Sequence, residues 1–256
     1  MNRRTRLAFL ATAALLGAAV AAAVFLISSS SFGGGSNRPS AVIVDQLDLT
    51  YPNPAFARDA TSVLEKAGFE VDYYPGEEVT VDFYRELPAR GYDIVLMRAH
   101  SARYQGSWQG EQKDLVEIFT SEGYSLADHA EEQQSGRLGV VSYFDDPEQR
   151  QYFGITPEFI TGSMRGDFNG ATVILMGCNG LSTGSTAQAF MDKGAAAVVG
   201  WDEAVSAVHT DAATLSLLRH LIDGDLPADD AVAAAMDEVG PDVPFDSTLR
   251  TYKSAG

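Results

Sequence analysis

The sequence predicts an α/β domain with a mostly parallel sheet, preceded by one transmembrane helix near the N-terminus. From Ala41 onward, short apolar runs alternate with amphipathic segments, the pattern of strands joined by crossover helices. The strand-like runs are almost continuously apolar, as expected of a parallel sheet covered on both faces. Ahead of them, residues 7–27 (LAFLATAALLGAAVAAAVFLI) carry no charge at all.

That run is long enough, at about 1.5 Å per residue, to cross a hydrocarbon core of roughly 30 Å. Arg3, Arg4 and Arg6 precede it and no basic residue follows until Arg38. The positive-inside bias therefore predicts residues 1–6 in the cytoplasm and the remainder outside, in a single-pass arrangement. A cleaved signal peptide is the alternative, with Ala21, Ala22 and Ala23 as a cleavage site and Arg3-Arg4 resembling part of a twin-arginine signal. Residues 28–40, rich in Ser and Gly, read as a flexible linker to a domain spanning 41–256.

The elements of the domain follow in order. Residues 41–47 (AVIVDQL) form the first strand, and a helix over 54–68 places Phe56, Ala60, Val63 and Leu64 on one face before Gly68 caps it. A strand at 69–74, a short helix at 79–87 stopped by Pro88, and a strand at 92–99 come next. Residues 101–170 are less regular and read as an insertion over the sheet's edge, with a strand at 138–144 and a short helix at 157–161. Regular alternation resumes with a strand ending at Cys178, a helix at 185–193, a strand at 195–201, and helices at 207–221 and 228–239.

Composition narrows the function. With 45% hydrophobic residues and 21% charged, the chain can bury a core. The net charge of −17 disfavours nucleic acid and anionic lipid as partners and suits an exposed or salty environment. Cys178 is the only cysteine, so no intramolecular disulfide forms. His129, His209 and His220 show no ligand spacing with Cys178 or with one another, so neither metal nor cofactor is expected.

In open parallel sheets, ligands gather beyond the carboxyl ends of the strands. His100 directly follows one such run and Cys178 closes another, which supplies a base and a nucleophile if the strands are neighbours. A free thiol is mostly protonated at neutral pH, and an adjacent imidazolium or helix N-terminus lowers its pKa. The loop 179–184 leads into a helix whose amides would also face an oxyanion. Gly180 to Gly184 fits G-x-S-x-G around Ser182, with Asp202 and His209 downstream, which keeps a serine hydrolase as an alternative. Tyr104, Trp108 and nearby glycines would form a lid over the site, or an ordinary surface loop.

The segments YDIVLMRAHSA, VILMGCNG and GAAAVVGWDEAV together resemble the caspase–gingipain group of cysteine peptidases, including CHAT domains, over residues 41–239. The resemblance implies a caspase-like three-layer sandwich. It also implies a peptide or protein substrate, His100 as general base or orienting imidazole and Cys178 as nucleophile. The backbone amides of Ser101 and Cys178 would hold the oxyanion, with Ser101 standing where relatives often carry Gly. By the same analogy Asp202 would meet a basic side chain of the substrate. A scaffold of this fold without turnover, serving as a binding or sensing module, is the alternative.

Overall fold

The computed structural model describes residues 38–252. The hydrophobic run 7–27 expected to span a membrane, and most of the linker, lie outside the described residues. Within them no helix is long and apolar enough to cross a membrane.

The chain is a mixed α/β fold on a largely parallel six-stranded sheet, ordered β10-β9-β8-β3-β1-β2. β1 (Ser40–Asp45), β2 (Glu70–Pro75), β3 (Ile94–Arg98), β8 (Thr172–Leu175) and β9 (Ala197–Trp201) run parallel, and β10 (Leu249–Thr251) pairs antiparallel to β9. The chain adds β2 on one side of β1 and β3 on the other, so strand order reverses at β1 and β3.

Side chains on successive strand residues divide between two cores. Ile43, Leu96, Ile174 and Val199 meet α1 (Pro54–Lys66), α6 (Ala207–Ile222) and α7 (Ala228–Val239) through Phe56, Leu64, Leu217 and Val232. Val44, Val95, Val173 and Val198 face α2 (Val81–Glu86), α4 (Pro157–Gly162) and α5 (Ser185–Asp192) through Phe83, Phe159 and Phe190. Helix starts are fixed locally: Asn53, Thr80 and Thr156 each accept a side-chain hydrogen bond from the amide three residues on.

Residues 101–170 depart from the expected irregular insertion. They build a second, antiparallel sheet ordered β4-β5-β7-β6, from β4 (Ser101–Trp108), β5 (Glu111–Gly123), β6 (Leu138–Ser142) and β7 (Gln151–Ile155), with the short α3 (Ala130–Gln134) between β5 and β6. This sheet covers a face of the main sheet rather than its edge, because Ile118, Leu138, Phe153 and Ile155 belong to the same core as Val44 and Val95. β10 was also unexpected. Three residues rich in polar atoms give no periodic signal, and their pairing with β9 is a tertiary choice.

Candidate active site

β3 and β8 are hydrogen-bonded neighbours, so the chain segments leaving their carboxyl ends are adjacent. Two residues past β3, His100 sits where the main sheet hands the chain to β4. Its backbone N–H donates to Gln46 Oε1 (2.9 Å) and its carbonyl accepts from the Phe119 amide (2.9 Å). The ring lies among Tyr143, Phe119 and Tyr51, with centroids at 5.0, 5.7 and 5.9 Å. Nε2 is 2.8 Å from the Thr50 hydroxyl, and that hydroxyl also lies 3.4 Å from the Leu47 carbonyl. Nε2 donates to the hydroxyl in one imidazole tautomer and accepts from it in the other, so this contact holds the ring in place in either form.

Cys178 lies beyond the end of β8, before Asn179, whose left-handed backbone (φ 61°) turns the chain away from the strand. Its Sγ accepts from the Val205 amide at 3.4 Å and lies 3.6 Å from the Val205 carbonyl. The Cys178 carbonyl accepts from Ser101 Oγ at 2.6 Å. His100 and Cys178 both line one cleft of about 530 Å³, with Leu47, Tyr51, Phe144, Met176, Val205, Val208 and Phe245 among its walls. Of these, Tyr51, Phe144, Val208 and Phe245 are exposed, which gives the cleft an apolar rim.

The electrostatics favour neutral groups. Burial pushes the His100 imidazole down to about 4; the Arg98 charge adds to this and Asp145 opposes it. Burial likewise raises the Cys178 thiol, outweighing the hydrogen bonds from the Val205 and Cys178 amides. Both residues are therefore uncharged at neutral pH in this conformation, and no imidazolium is present to draw out a thiolate.

Beneath the cleft, Arg98 is wholly buried. Its guanidinium bonds Asp45 through Nη1 (2.7 Å), Asp211 through Nε and Nη2 (2.7 and 2.9 Å) and the Tyr51 carbonyl through Nη2 (2.9 Å). This ties β1, β3, α6 and the Thr50 loop together under His100. Sequence reasoning passed over Arg98; the signal was a charged residue closing each of two apolar runs, VIVD and IVLMR.

Ser101 and Cys178 are joined as described, but much of the expected amide set after Cys178 is already paired. Asn179 N–H donates to Glu203 O, Leu181 N–H to Trp201 O and Ser182 N–H to Asn179 O, at 2.8, 2.8 and 2.9 Å. Asp202 stands outside the cleft lining. Its carboxylate accepts from the Thr248 amide (2.7 Å) and Arg250 Nε (2.6 Å). The Ser182–Asp202–His209 combination does not assemble, since His209 Nε2 meets the Gly240 carbonyl at 3.1 Å and Ser182 Oγ is buried with no partner among the described residues. Tyr104 and Trp108 are strand residues of β4 that border a different hollow.

No protein-family model matches the chain, and no curated protein sequence matches it.

Proposed function

We propose that the cleft is the active site of a cysteine peptidase of caspase-like architecture, anchored outside the cytoplasm by residues 7–27. The observation that carries this reading is that His100 and Cys178, leaving adjacent parallel strands at their carboxyl ends, line one cleft. The strand order with an antiparallel edge strand, helices on both faces and an apolar rim able to receive a peptide side chain support it further.

In this mechanism substrate enters while both groups are neutral. The neutral His100 imidazole takes the thiol proton as Sγ bonds to the scissile carbonyl carbon, and the carbonyl π electrons move to oxygen. The tetrahedral intermediate collapses with cleavage of the C–N bond, and the imidazolium returns its proton to the departing amine. Water, deprotonated by the same imidazole, then hydrolyses the thioester. Because the walls are apolar, the substrate side chain beside Cys178 is apolar.

Hydrolysis of a diverse peptide library by the purified full chain tests this. Cleavage lost in Cys178→Ala and in His100→Ala, with both variants folded, is the expected result. Cleavage unaffected by either substitution, or none by wild type, overturns it.

The raised thiol and lowered imidazole favour a second reading, a binding module of the same architecture without turnover. It predicts that Cys178→Ala retains peptide binding in the cleft while wild type hydrolyses no peptide.

A further inference from the structure

The second sheet contains a hollow of its own, of about 260 Å³, bordered by Tyr104, Trp108, Lys113, Glu117, Thr156 and Glu158. Ile118 of β5 belongs to the core and the buried Val116 lies on the same face, beside Met97 and Leu175, so the alternating Leu115 and Glu117 face the other way, across from Tyr104 and Ala102 of β4. Glu117 is only 9% exposed. Among the described residues no hydrogen bond or ion pair reaches its carboxylate, and burial alone drives its pKa up to about 7.

The surrounding backbone is shaped to this carboxylate. Gly139 of β6 and Gly154 of β7 are cross-strand partners. A Cβ at Gly139 would fall 1.7 Å from Glu117 Oε1, and one at Gly154 would fall 3.3 Å from Glu117 Cβ. Gly139 thus gives up a side chain where the carboxylate lies, and Gly154 leaves room for Val141 and the stem of the glutamate. A second acid borders the hollow: Glu158 Oε1 accepts from Lys113 Nζ at 3.2 Å, while its Oε2 is buried with no partner among the described residues. Lys113 Nζ is also 3.5 Å from Glu111. An unpaired carboxylate costs stability when buried, and a partner of opposite charge removes that cost.

We propose that this hollow binds the ammonium or guanidinium head of an organic cation, the head on Glu117 and the free Glu158 oxygen, the apolar stem against the Trp108 and Tyr104 rings. Aromatic faces suit such a stem and attract the charge it carries. Lys113 is already held by Glu158 and, outside the lining, by Glu111, so the groups lining the hollow, Glu117, Glu158 and Lys113, leave a net charge of one negative unit when ionised for a monocation to meet. The proposal stands apart from any activity of the His100/Cys178 cleft.

Calorimetric titration of the full chain with agmatine, n-butylamine, a lysine-containing peptide and its alanine counterpart tests it, with n-butanol as the uncharged control. Saturable binding of an amine or of the lysine peptide is expected, without binding of n-butanol or the alanine peptide. A response to the small amines assigns a free organic cation, and a response to the lysine peptide alone assigns a basic side chain of a protein partner. Glu117→Gln, nearly identical in shape, should weaken binding by about 30-fold or more. Should that variant fail to fold, Trp108→Ala at its exposed position should also weaken binding. Absence of saturation with every cationic probe, or wild-type affinity in a folded Glu117→Gln protein, overturns the proposal.

Discussion

The Ser101 hydroxyl donates a 2.6 Å hydrogen bond to the carbonyl of Cys178, fastening the first residue of β4 to the segment that leaves β8. Gly177 makes this approach feasible, since a Cβ there would lie 2.3 Å from both the Ala99 carbonyl and Ser101 Oγ. Ser101→Ala should lower stability by about 1 kcal/mol, the usual net worth of one such bond. Gly177→Ala should cost more, about 1–3 kcal/mol, because it forces backbone apart. Denaturant midpoints of the two variants give the comparison, and equal losses would contradict the steric argument.

Arg98 supplies the next prediction. It pairs with both Asp45 and Asp211, all three side chains being buried, so Arg98→Met leaves two buried carboxylates without their cation. The expected loss is about 3–5 kcal/mol. Arg98→Lys keeps the charge but lacks the planar fork that reaches Asp45, Asp211 and the Tyr51 carbonyl together. It should remain folded with a loosened Thr50 loop, read as faster amide exchange at residues 47–51 than in wild type. Unchanged exchange there would separate the ion cluster from the positioning of His100.

Much of the main sheet was legible in the sequence. Near-continuous apolar runs marked β1, β3, β8 and β9, and the helices expected from residues 54 and 79 start at Pro54 and Val81. His100 and Cys178 were singled out because ligands gather at strand ends in α/β sheets, and the structure brings the two to one cleft. The second sheet was missed for a physical reason: β4 (SARYQGSW) and the start of β5 (EQKD) are polar on both faces, so period-two alternation is weak. Their register comes from pairing and from glycines that make room for neighbours, neither of which a local window contains. The charge state of the cleft was also hidden, because it depends on Phe119 and Tyr143 closing over His100 from that second sheet.

Alkylation of Cys178 in the unliganded full chain should follow an ordinary or raised thiol titration. Burial holds the thiol up and the neutral imidazole offers no counter-charge. Iodoacetamide should react slowly below pH 9, and His100→Ala should change that little. Rapid modification at neutral pH, lost in His100→Ala, would mean that an imidazolium–thiolate pair forms in a conformation other than this one.

His100 should leave a signature in the pH dependence of stability. Its pKa falls from the ordinary 6.5 to about 4 on folding, so between those values the unfolded chain holds more of this proton. The contribution is complete above pH 6.5 and is lost as pH falls toward 4. Its full size is about 3 kcal/mol at most. Subtracting the unfolding free energy of His100→Asn from that of wild type across this range should reveal a difference that rises with pH; a flat difference would mean that the ring is hydrated in solution.

Glu117 should behave in the opposite sense. Its pKa rises from the ordinary 4.5 to about 7 on folding, so the folded chain holds the extra proton between these values. Its contribution is present below pH 4.5 and is lost as pH climbs through 7, when the buried carboxyl ionises without a partner. Over pH 4.5–6.5 this slope opposes that of His100, so a shallow wild-type profile conceals two steep ones. Glu117→Gln removes one of them. The variant should gain stability relative to wild type as pH rises from 4.5, reaching about 3 kcal/mol at most above pH 8. A saturating organic cation should shrink that advantage by stabilising wild type alone, because only the ionised glutamate offers it a counter-charge. Thermal unfolding of both proteins at pH 5 and pH 8, with and without agmatine, measures this. If Glu117→Gln showed the same stability relative to wild type at both pH values, the carboxyl would have to be solvated, and neither its raised pKa nor its role in the hollow would stand.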